Sequence, residues 1–347
     1  MYLKLFSSTF LLLLSFSQLT AQIGGQYVYD FLNLPASARA AALGGAFIAV
    51  KDDDPSLSLQ NPALLNKEMS GFAGLSAVGY HGEAFYSNAF YVTDYKENAM
   101  LQFNLQYMDY GSFELTDEAG NQLGRFNAGE LALSVNAAQQ LNEQLHLGVG
   151  LTVVNAAYES YHSLGVGANM ALLYHSEDEL FAATVNVRQL GYQVIAFDEN
   201  REPMPLDVQV GVSKKFENMP LRFSVVAHNL HRPDLTYDDP FRSSQIDLAT
   251  GNRIQDEIPF SERIFRHMIF AGELVFSPNF HLRIGYNHMR RKEMAIENRQ
   301  GLVGFSWGFG MRVKKFHIHY GSGAYHLSGM NNHFTLATNL NRFFKND

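Results

Sequence analysis

The chain has 347 residues, a formal net charge of −8 at pH 7 and no cysteine. The acidic balance argues against a nucleic-acid-binding protein, which needs a basic surface. Without cysteine there are no disulfides, no thiolate metal sites and no cysteine nucleophile, and a chain of this length does not depend on disulfides for stability.

Residues 1–21 have the parts of a secretory signal peptide. Lys4 forms the positive start, residues 5–16 are apolar, and Leu19-Thr20-Ala21 fits a cleavage site. An uncleaved membrane anchor is the alternative, but the apolar run is too short to span a bilayer. Removal of this segment takes the formal charge to −9, because it contains one basic residue and no acidic one. We expect an exported protein.

Residues 22–69 show no alternating pattern. The run PASAR at 35–39 is expected to cap a short helix through Ala40–Leu43, which Gly44-Gly45 ends. Asn61-Pro62-Ala63 marks a turn. A small segment of this kind is predicted to fold inside a barrel and plug its lumen.

From about residue 70 the apolar residues recur with period two, which is typical of β-strands with one apolar face. Several runs reach the ~9–11 residues of a tilted membrane strand, and no later segment offers the roughly 18 apolar residues of a membrane helix. Fourteen strands are predicted, at 70–80, 83–94, 98–110, 127–139, 144–157, 161–175, 180–190, 206–216, 221–230, 264–277, 280–289, 302–313, 316–325 and 332–344.

The connections after the even-numbered strands are short, whereas those after strands three, seven, nine and eleven are long. Outer-membrane barrels sort their loops in this way, and an exported β-sandwich with a lectin-like role, the soluble alternative, has no reason to do so. The sequence therefore predicts an all-β fold, a transmembrane antiparallel β-barrel of about 14 strands over residues 70–347, with residues 22–69 as its plug.

The two faces of the predicted strands differ in side-chain size and charge. In 302–313 large apolar residues alternate with Gly and Ser, and Arg222, Arg283 and Arg312 fall on the face opposite the apolar one. The small residues indicate a lumen crowded by the plug. Phe343 and Phe344 end the last predicted strand in an aromatic finish, which resembles the C-terminal signal of many outer-membrane barrels.

The run PASARAAALGGAFIAVKDDDPSLSLQNPALL resembles the N-terminal signature of the PorV/PorQ family of outer-membrane proteins, which is related to the FadL fatty-acid transporter fold. The opening AQIGGQYVYDFLNLP and the length are most similar to the PorQ members, which belong to the type IX secretion system. The resemblance covers nearly all of the mature chain. Its plug motif maps onto Pro35, Ser37, Arg39, Gly44, Asp52, Asp53, Asn61 and Pro62.

The resemblance implies a non-enzymatic protein in the outer membrane of a Gram-negative, Bacteroidota-type bacterium. Its role there is to hold a PorZ-like surface protein in the complex that attaches secreted cargo to lipopolysaccharide. PorU, which carries the sortase chemistry, and PorV are the further partners that it implies, with membrane lipid around the barrel. It implies no cofactor and no nucleic acid.

The longest loop, 231–263, is the candidate partner-docking surface, since long loops with aromatic and Arg residues often bind partners. A solvated loop without a partner is the open alternative. Loops 110–127 and 190–205 are weaker candidates. The docking residues that we predict are Tyr237, Phe241, Arg242 and Arg253.

Two groups of residues raise the question of a metal site. The run Lys51-Asp52-Asp53-Asp54 has carboxylates that suit Ca²⁺ or Mg²⁺, but it lacks the Gly and the distal Glu of an EF-hand, and a solvated or lumenal turn is the favoured interpretation. His317 and His319 share an inward face and are expected to line a polar lumen rather than ligate metal. The sequence has no H-E-x-x-H, G-x-S-x-G or P-loop motif, and no catalytic, cofactor or metal residue is predicted.

Two functions remain as alternatives for the predicted barrel. The first is the non-enzymatic anchor that the resemblance implies. The second is a FadL-like transporter of hydrophobic small molecules, which needs an apolar pocket between plug and wall and an exit through a kinked strand. Gly165 and Gly167, or Gly308 and Gly310, are candidates for such a kink, and close packing on the plug explains them equally well.

Overall fold

A computed structural model describes residues 27–96, 98–236, 258–294, 301–326 and 329–344. Fourteen antiparallel strands pair in sequence order, and β1 pairs with β14, so the sheet closes on itself. The predicted all-β, 14-strand barrel is confirmed. The strands are β1 (Phe72–Gly79), β2 (Phe85–Lys96), β3 (Ala99–Thr116), β4 (Gln122–Gln140), β5 (Leu145–Tyr158), β6 (Tyr161–His175), β7 (Phe181–Ile195), β8 (Asp207–Lys215), β9 (Leu221–Ala227), β10 (Met268–Ser277), β11 (Phe280–Asn287), β12 (Phe305–Val313), β13 (Phe316–His326) and β14 (Gly329–Asn339).

The outer surface of the barrel is a band of large apolar side chains. In β5, Leu147, Val149, Leu151 and Val153 are exposed, whereas the residues between them face inward and are buried. β12 follows the same rule, with Phe305 and Trp307 outside. A barrel in lipid needs this alternation, because every backbone polar group is paired within the sheet and only apolar side chains meet the hydrocarbon. Among the described residues, no helix has the length and apolar character required to cross a bilayer.

Three strands, β3, β4 and β7, extend well beyond their predicted ends. Residues 110–127, predicted as a loop, instead continue β3 and β4 as a two-stranded ribbon in which Phe113 pairs with Phe126. A tight turn joins the two strands, where the Asp117 side chain accepts hydrogen bonds from the Ala119 and Asn121 amides. β7 likewise runs on to Ile195, into the loop predicted at 190–205. Strand pairing continues here beyond the segment that faces lipid. The alternation of apolar residues therefore underestimates the length of these strands.

Other predicted strand ends are helical. The last strand stops at Asn339, whose side chain accepts a hydrogen bond from the Asn341 amide and turns the chain, so Phe343 and Phe344 do not extend it. Residues 264–266, assigned to the tenth strand, belong to a helix that ends before β10 begins. In the part of the chain that the structure describes, the α-helices are α1 (Ala38–Ala42), α2 (Phe260–Arg266), α3 (His288–Glu293) and α4 (Asn341–Phe344).

Residues 27–69 lie inside the barrel as α1 and a series of 3-10 turns, and most of them are buried. An irregular segment leaves many backbone groups unpaired, and buried backbone groups need partners. Inward-facing amides of the wall supply them. The donors to plug carbonyl oxygens are Asn88 to Ala36, Gln102 to Pro55, Asn136 to Ser58 and Asn186 to Gln60.

Inward-facing glycines let the plug backbone touch the wall. A Cβ on Gly148 would lie 2.1 Å from the Ala63 amide nitrogen, and a Cβ on Gly321 would lie 2.1 Å from the Ala38 carbonyl oxygen. Both distances are shorter than any real contact, so no larger residue fits unless the plug moves. The small residues of the lumenal face are therefore explained by close approach of the plug.

We predict that Gly148→Ala destabilises the folded barrel by about 1–3 kcal/mol, because the methyl group overpacks against plug backbone. The measurement is the temperature at which the folded band converts to the unfolded band in gel electrophoresis of the purified protein. Gly124→Ala is the control, since a Cβ there has open space. Equal transition temperatures for both variants would contradict the described packing.

Candidate functional site

Helix α1 is the element that positions the plug against the wall. Ser37 caps it by accepting a hydrogen bond from the Ala40 amide, as the sequence predicts. Gly44 follows its C-terminal end with φ of 88°, a conformation that favours glycine. The Gly44 amide donates to the Ser306 hydroxyl, and the Asn287 side chain donates to the Gly44 carbonyl oxygen. Both ends of the helix are therefore held, and Pro35 lies buried just before it.

Arg39 projects from α1 into a buried cluster of charges. Its Nη2 lies 2.7 Å from the Asp52 carboxylate and its Nη1 lies 3.1 Å from that of Asp54, both within the plug. It also donates two hydrogen bonds, of 3.0 and 2.9 Å, to Glu273 on β10. Arg39 and Glu273 thus form a bidentate ion pair, of the kind that guanidinium groups form with carboxylates. Arg39 thus links two parts of the plug to the wall.

Glu273 is the centre of this cluster on the wall side. It accepts from Arg39, from Arg222 on β9 at 2.9 Å and from Arg283 on β11 at 2.8 Å. Arg222 also reaches Asp52 at 3.3 Å. Three arginines and three carboxylates therefore balance, which satisfies the rule that buried charges are paired. We call these six residues the plug lock: Arg39, Asp52, Asp54, Arg222, Glu273 and Arg283.

The cluster shifts the ionisation of its plug members. Burial acts to raise the pKa of the Asp52 carboxyl, but the charges of Arg39 and Arg222 outweigh it, so the pKa lies below its usual range. The pKa of Asp54 is lowered as well: burial raises it, while His319, Arg39 and Arg283 together lower it further. Burial disfavours the charged form of Arg39, yet Asp52, Glu273 and Asp54 raise its pKa. All three groups are charged at neutral pH.

Asn61 organises the second predicted turn. Its side chain accepts from the Ala63 amide and donates to the Ile48 carbonyl oxygen at 2.6 Å and to Thr184 of the wall at 3.1 Å. Pro62 begins the 3-10 turn that follows. The Asn-Pro-Ala triplet is therefore a second attachment point between plug and wall.

The residues considered for metal binding are divided between the plug lock and a neighbouring cavity. Asp52 and Asp54 belong to the plug lock, and among the described residues no group of three His, Cys, Asp or Glu side chains could hold a metal ion. Asp53, His317 and His319 line a cavity of about 460 Å³ beside the lock, at the end of the barrel with the short turns. That end is periplasmic in outer-membrane barrels.

The predicted docking residues Tyr237, Phe241, Arg242 and Arg253 lie outside the described residues. The described part of the same loop ends in α2, where Phe260 is 77% exposed and Ile264 is 46% exposed. α2 packs beside α3, and Glu262 on α2 pairs with His288 and Lys292 on α3. Helix α2 therefore presents large apolar side chains, Phe260 and Ile264 among them, at the extracellular end.

Sequence reasoning missed Glu273, the centre of the lock. The available signal is one acidic residue at an inward position of the apolar run HMIFAGELVFS. It also missed the wall amides that hold the plug, whose signal is the alternation of Asn and Gln with apolar residues, as in Gln102, Asn104 and Gln106. The inward positions of Arg222, Arg283 and Arg312 are confirmed.

We predict that Glu273→Gln destabilises the folded protein by about 3–5 kcal/mol, because it leaves buried arginine charge without its partner. Thermal unfolding followed by gel mobility measures this change. Glu262→Gln is the matched control, and its surface ion pairs are worth about 0–1 kcal/mol. An effect of Glu273→Gln no larger than that of the control would contradict the described lock.

The lowered pKa values of Asp52 and Asp54 predict a pH dependence. A carboxyl with a depressed folded-state pKa contributes its full stabilisation above its unfolded pKa of about 3.9 and loses it as the pH falls towards the folded-state pKa. Stability should therefore hold from pH 7 to pH 5 and decline below about pH 4. The measurement is the thermal unfolding temperature of the purified protein between pH 7 and pH 3. Asp54→Asn should reduce the fall of this temperature below pH 4, whereas Asp53→Asn should leave it unchanged.

No protein-family model and no curated protein matches the chain. Among solved structures it is similar to the toluene transporter TodX of P. putida, with 11% identity over 89% of this chain and 99% of that one and a TM-score of 0.49. It is also similar to the monoaromatic hydrocarbon channel CymD, with 14% identity over 88% of this chain and 96% of that one and a TM-score of 0.47. The KdgM porin has 6% identity over 77% of this chain and 98% of that one, with a TM-score of 0.34. At these values the likeness assigns no function. The strand pairing of the chain itself shows a closed barrel with a lipid-facing apolar band, the architecture of Gram-negative outer-membrane proteins.

Proposed function

We propose that this protein is a plugged, non-enzymatic outer-membrane barrel that anchors a surface protein. The PorV/PorQ resemblance implies that this partner is a PorZ-like component of the type IX secretion system in a Bacteroidota-type bacterium. PorU and PorV are further members of the same attachment complex. The barrel supplies position and rigidity, and the reaction that joins cargo to lipopolysaccharide takes place on another subunit.

The observation that carries this proposal is the way in which the lumen is filled. Residues 27–69 occupy it, the plug lock ties them to β9, β10 and β11, and the wall amides bind their backbone. The cavities beside the plug are lined mainly by charged and polar side chains. A transporter of hydrophobic molecules needs an apolar path, and an anchor needs none.

The outer end of the barrel offers a surface suited to a partner. β3 and β4 have 18 and 19 residues and rise above a low sector in which β9 and β11 have seven and eight. Helix α2 leads directly into β10, between β9 and β11, with Phe260 and Ile264 exposed. Exposed apolar residues on the side of the barrel opposite the long strands β3 and β4 favour docking of a protein, because their burial stabilises the complex.

A second function, transport of hydrophobic small molecules, is favoured by one irregularity of the wall. The pairing of β6 with β7 shifts register twice, at Leu164/Gly165 and at Ala168/Met170, and Gln189 opposite has φ of 55°. Gly165, however, packs against the Tyr29 ring and Gly308 against Ala42, so these glycines are explained by the plug. The shift therefore marks a bulge in a wall whose neighbouring strands remain paired.

We predict that an affinity-tagged barrel, purified from gently solubilised outer membranes of its own cells, carries a surface protein in near-equal amount. Phe260→Asp combined with Ile264→Asp should lower the yield of that partner at least about tenfold, since a desolvated hot spot contributes 2 kcal/mol or more. Mass spectrometry identifies and counts the partner. Phe113→Asp, on the exposed ribbon, is the matched control and should retain it.

Recovery of the barrel alone, with a stoichiometric hydrophobic small molecule bound, would overturn the anchor proposal and favour transport. A partner that remains equally abundant with the Phe260 and Ile264 variant would overturn the docking surface.

A further inference from the structure

A row of basic and imidazole side chains lines the periplasmic rim of one half of the barrel. Each is the inward-facing residue nearest the short turn on its strand, so they form one layer from β8 to β13 that is interrupted at β10. We call this layer the basic arc: Lys215 on β8, Arg222 on β9, His281 on β11, Arg312 on β12 and His317 on β13.

The basic arc borders the cavity of about 460 Å³ beside the plug lock. The lock itself is neutral, because its three arginines face three carboxylates. Among the described residues, Lys215 and Arg312 make no ion pair, and Lys51 pairs with the exposed Glu179 at 3.5 Å. Asp53 is the remaining carboxylate of the lining. The cavity therefore carries an excess of positive charge.

Two imidazoles that line the same cavity each have one ring nitrogen without a hydrogen-bond partner among the described residues. Nδ1 of His281 and Nε2 of His317 are buried, and neither has a hydrogen-bond partner among the described residues. Buried polar atoms of folded proteins are nearly always paired, so these two imidazoles at one cavity retain unused hydrogen-bonding capacity. A neutral imidazole offers one N–H donor, and the tautomer adjusts to the group that it meets.

Part of the lining is apolar. Val275 and Pro278 contribute carbon surface next to the basic arc. The volume falls in the range of about 300–1,000 Å³ that is typical of small-molecule sites. It is larger than a bare phosphate or carboxylate requires, so there is room for an organic substituent on the anion.

We propose that this cavity binds an organic oxyanion, a carboxylate or phosphate group attached to a short apolar substituent, which enters from the periplasm. Arg312 and Lys215 supply the charge, and His281 and His317 donate hydrogen bonds to the oxygen atoms. The apolar lining packs against the substituent. This site is separate from the extracellular docking surface and does not depend on it.

The test is calorimetric titration of the full-length protein in uncharged detergent at low salt. Phenyl phosphate and benzoate are the probes for the two oxyanions, and benzyl alcohol is the neutral analogue. We expect at least one anion to bind with a dissociation constant below about 1 mM, and benzyl alcohol not to bind. The tighter of the two anions identifies the preferred head group.

Variants locate the binding site. Arg312→Gln and Lys215→Gln should each weaken anion binding about tenfold, since each removes a charge-assisted hydrogen bond. Lys214→Gln is the matched control, because Lys214 is exposed on the other face of the same strand. Both substitutions are conservative in size, and the gel mobility of the folded form confirms that the barrel is intact. Absence of binding, equal binding of benzyl alcohol, or affinity unchanged in both cavity variants would each overturn the proposal.

Discussion

The interior of this barrel depends on the ion pairs that Glu273 makes with three arginines. A carboxylate in the lumenal wall is costly to bury, and only paired charges offset that cost. Arg222 and Arg283 come from the neighbouring strands, whereas Arg39 comes from the plug. The wall alone would hold two arginines against one carboxylate, and the plug brings one arginine and two carboxylates. The buried charges of the wall and the plug therefore balance only when the plug is in place.

The remaining contacts of the plug are explained by the same need to pair buried polar groups. Once α1 is placed, its carbonyl and amide groups and those of the following turns need partners in a space with little room for water. Wall side chains such as Asn88, Asn186 and Ser306 provide these partners, and glycines allow the close approach. A buried ion pair is weak evidence for stability but specifies one arrangement well. A plug set in one position suits a rigid anchor.

Much of the architecture could be predicted from the sequence because the membrane imposes period two on every strand. The strand number and the inward positions of Arg222, Arg283 and Arg312 follow from that period. Strand ends were harder to predict, because β3 and β4 continue beyond the lipid, where pairing does not require apolar residues.

The candidate site was predicted only in part. Ser37, Arg39, Asp52 and Asn61 lie in a recognisable run with turn and capping signals. Glu273 has no local signal of its role, since its partner Arg39 is 234 residues away in the chain. Long-range pairing of this kind depends on how the barrel closes, and a single sequence does not reveal it.

Hydrogen exchange of the plug amides in the intact protein in lipid distinguishes a plug held in one position inside the barrel from a loosely held one. The Ala38 amide donates to Thr335 and the Gly44 amide to Ser306, so both are expected to exchange as slowly as the amides of the barrel strands. Slow exchange that is lost in Glu273→Gln would show that the plug lock holds the plug in place. Exchange of residues 38–66 at the rate of an unstructured peptide in the unaltered protein would contradict it.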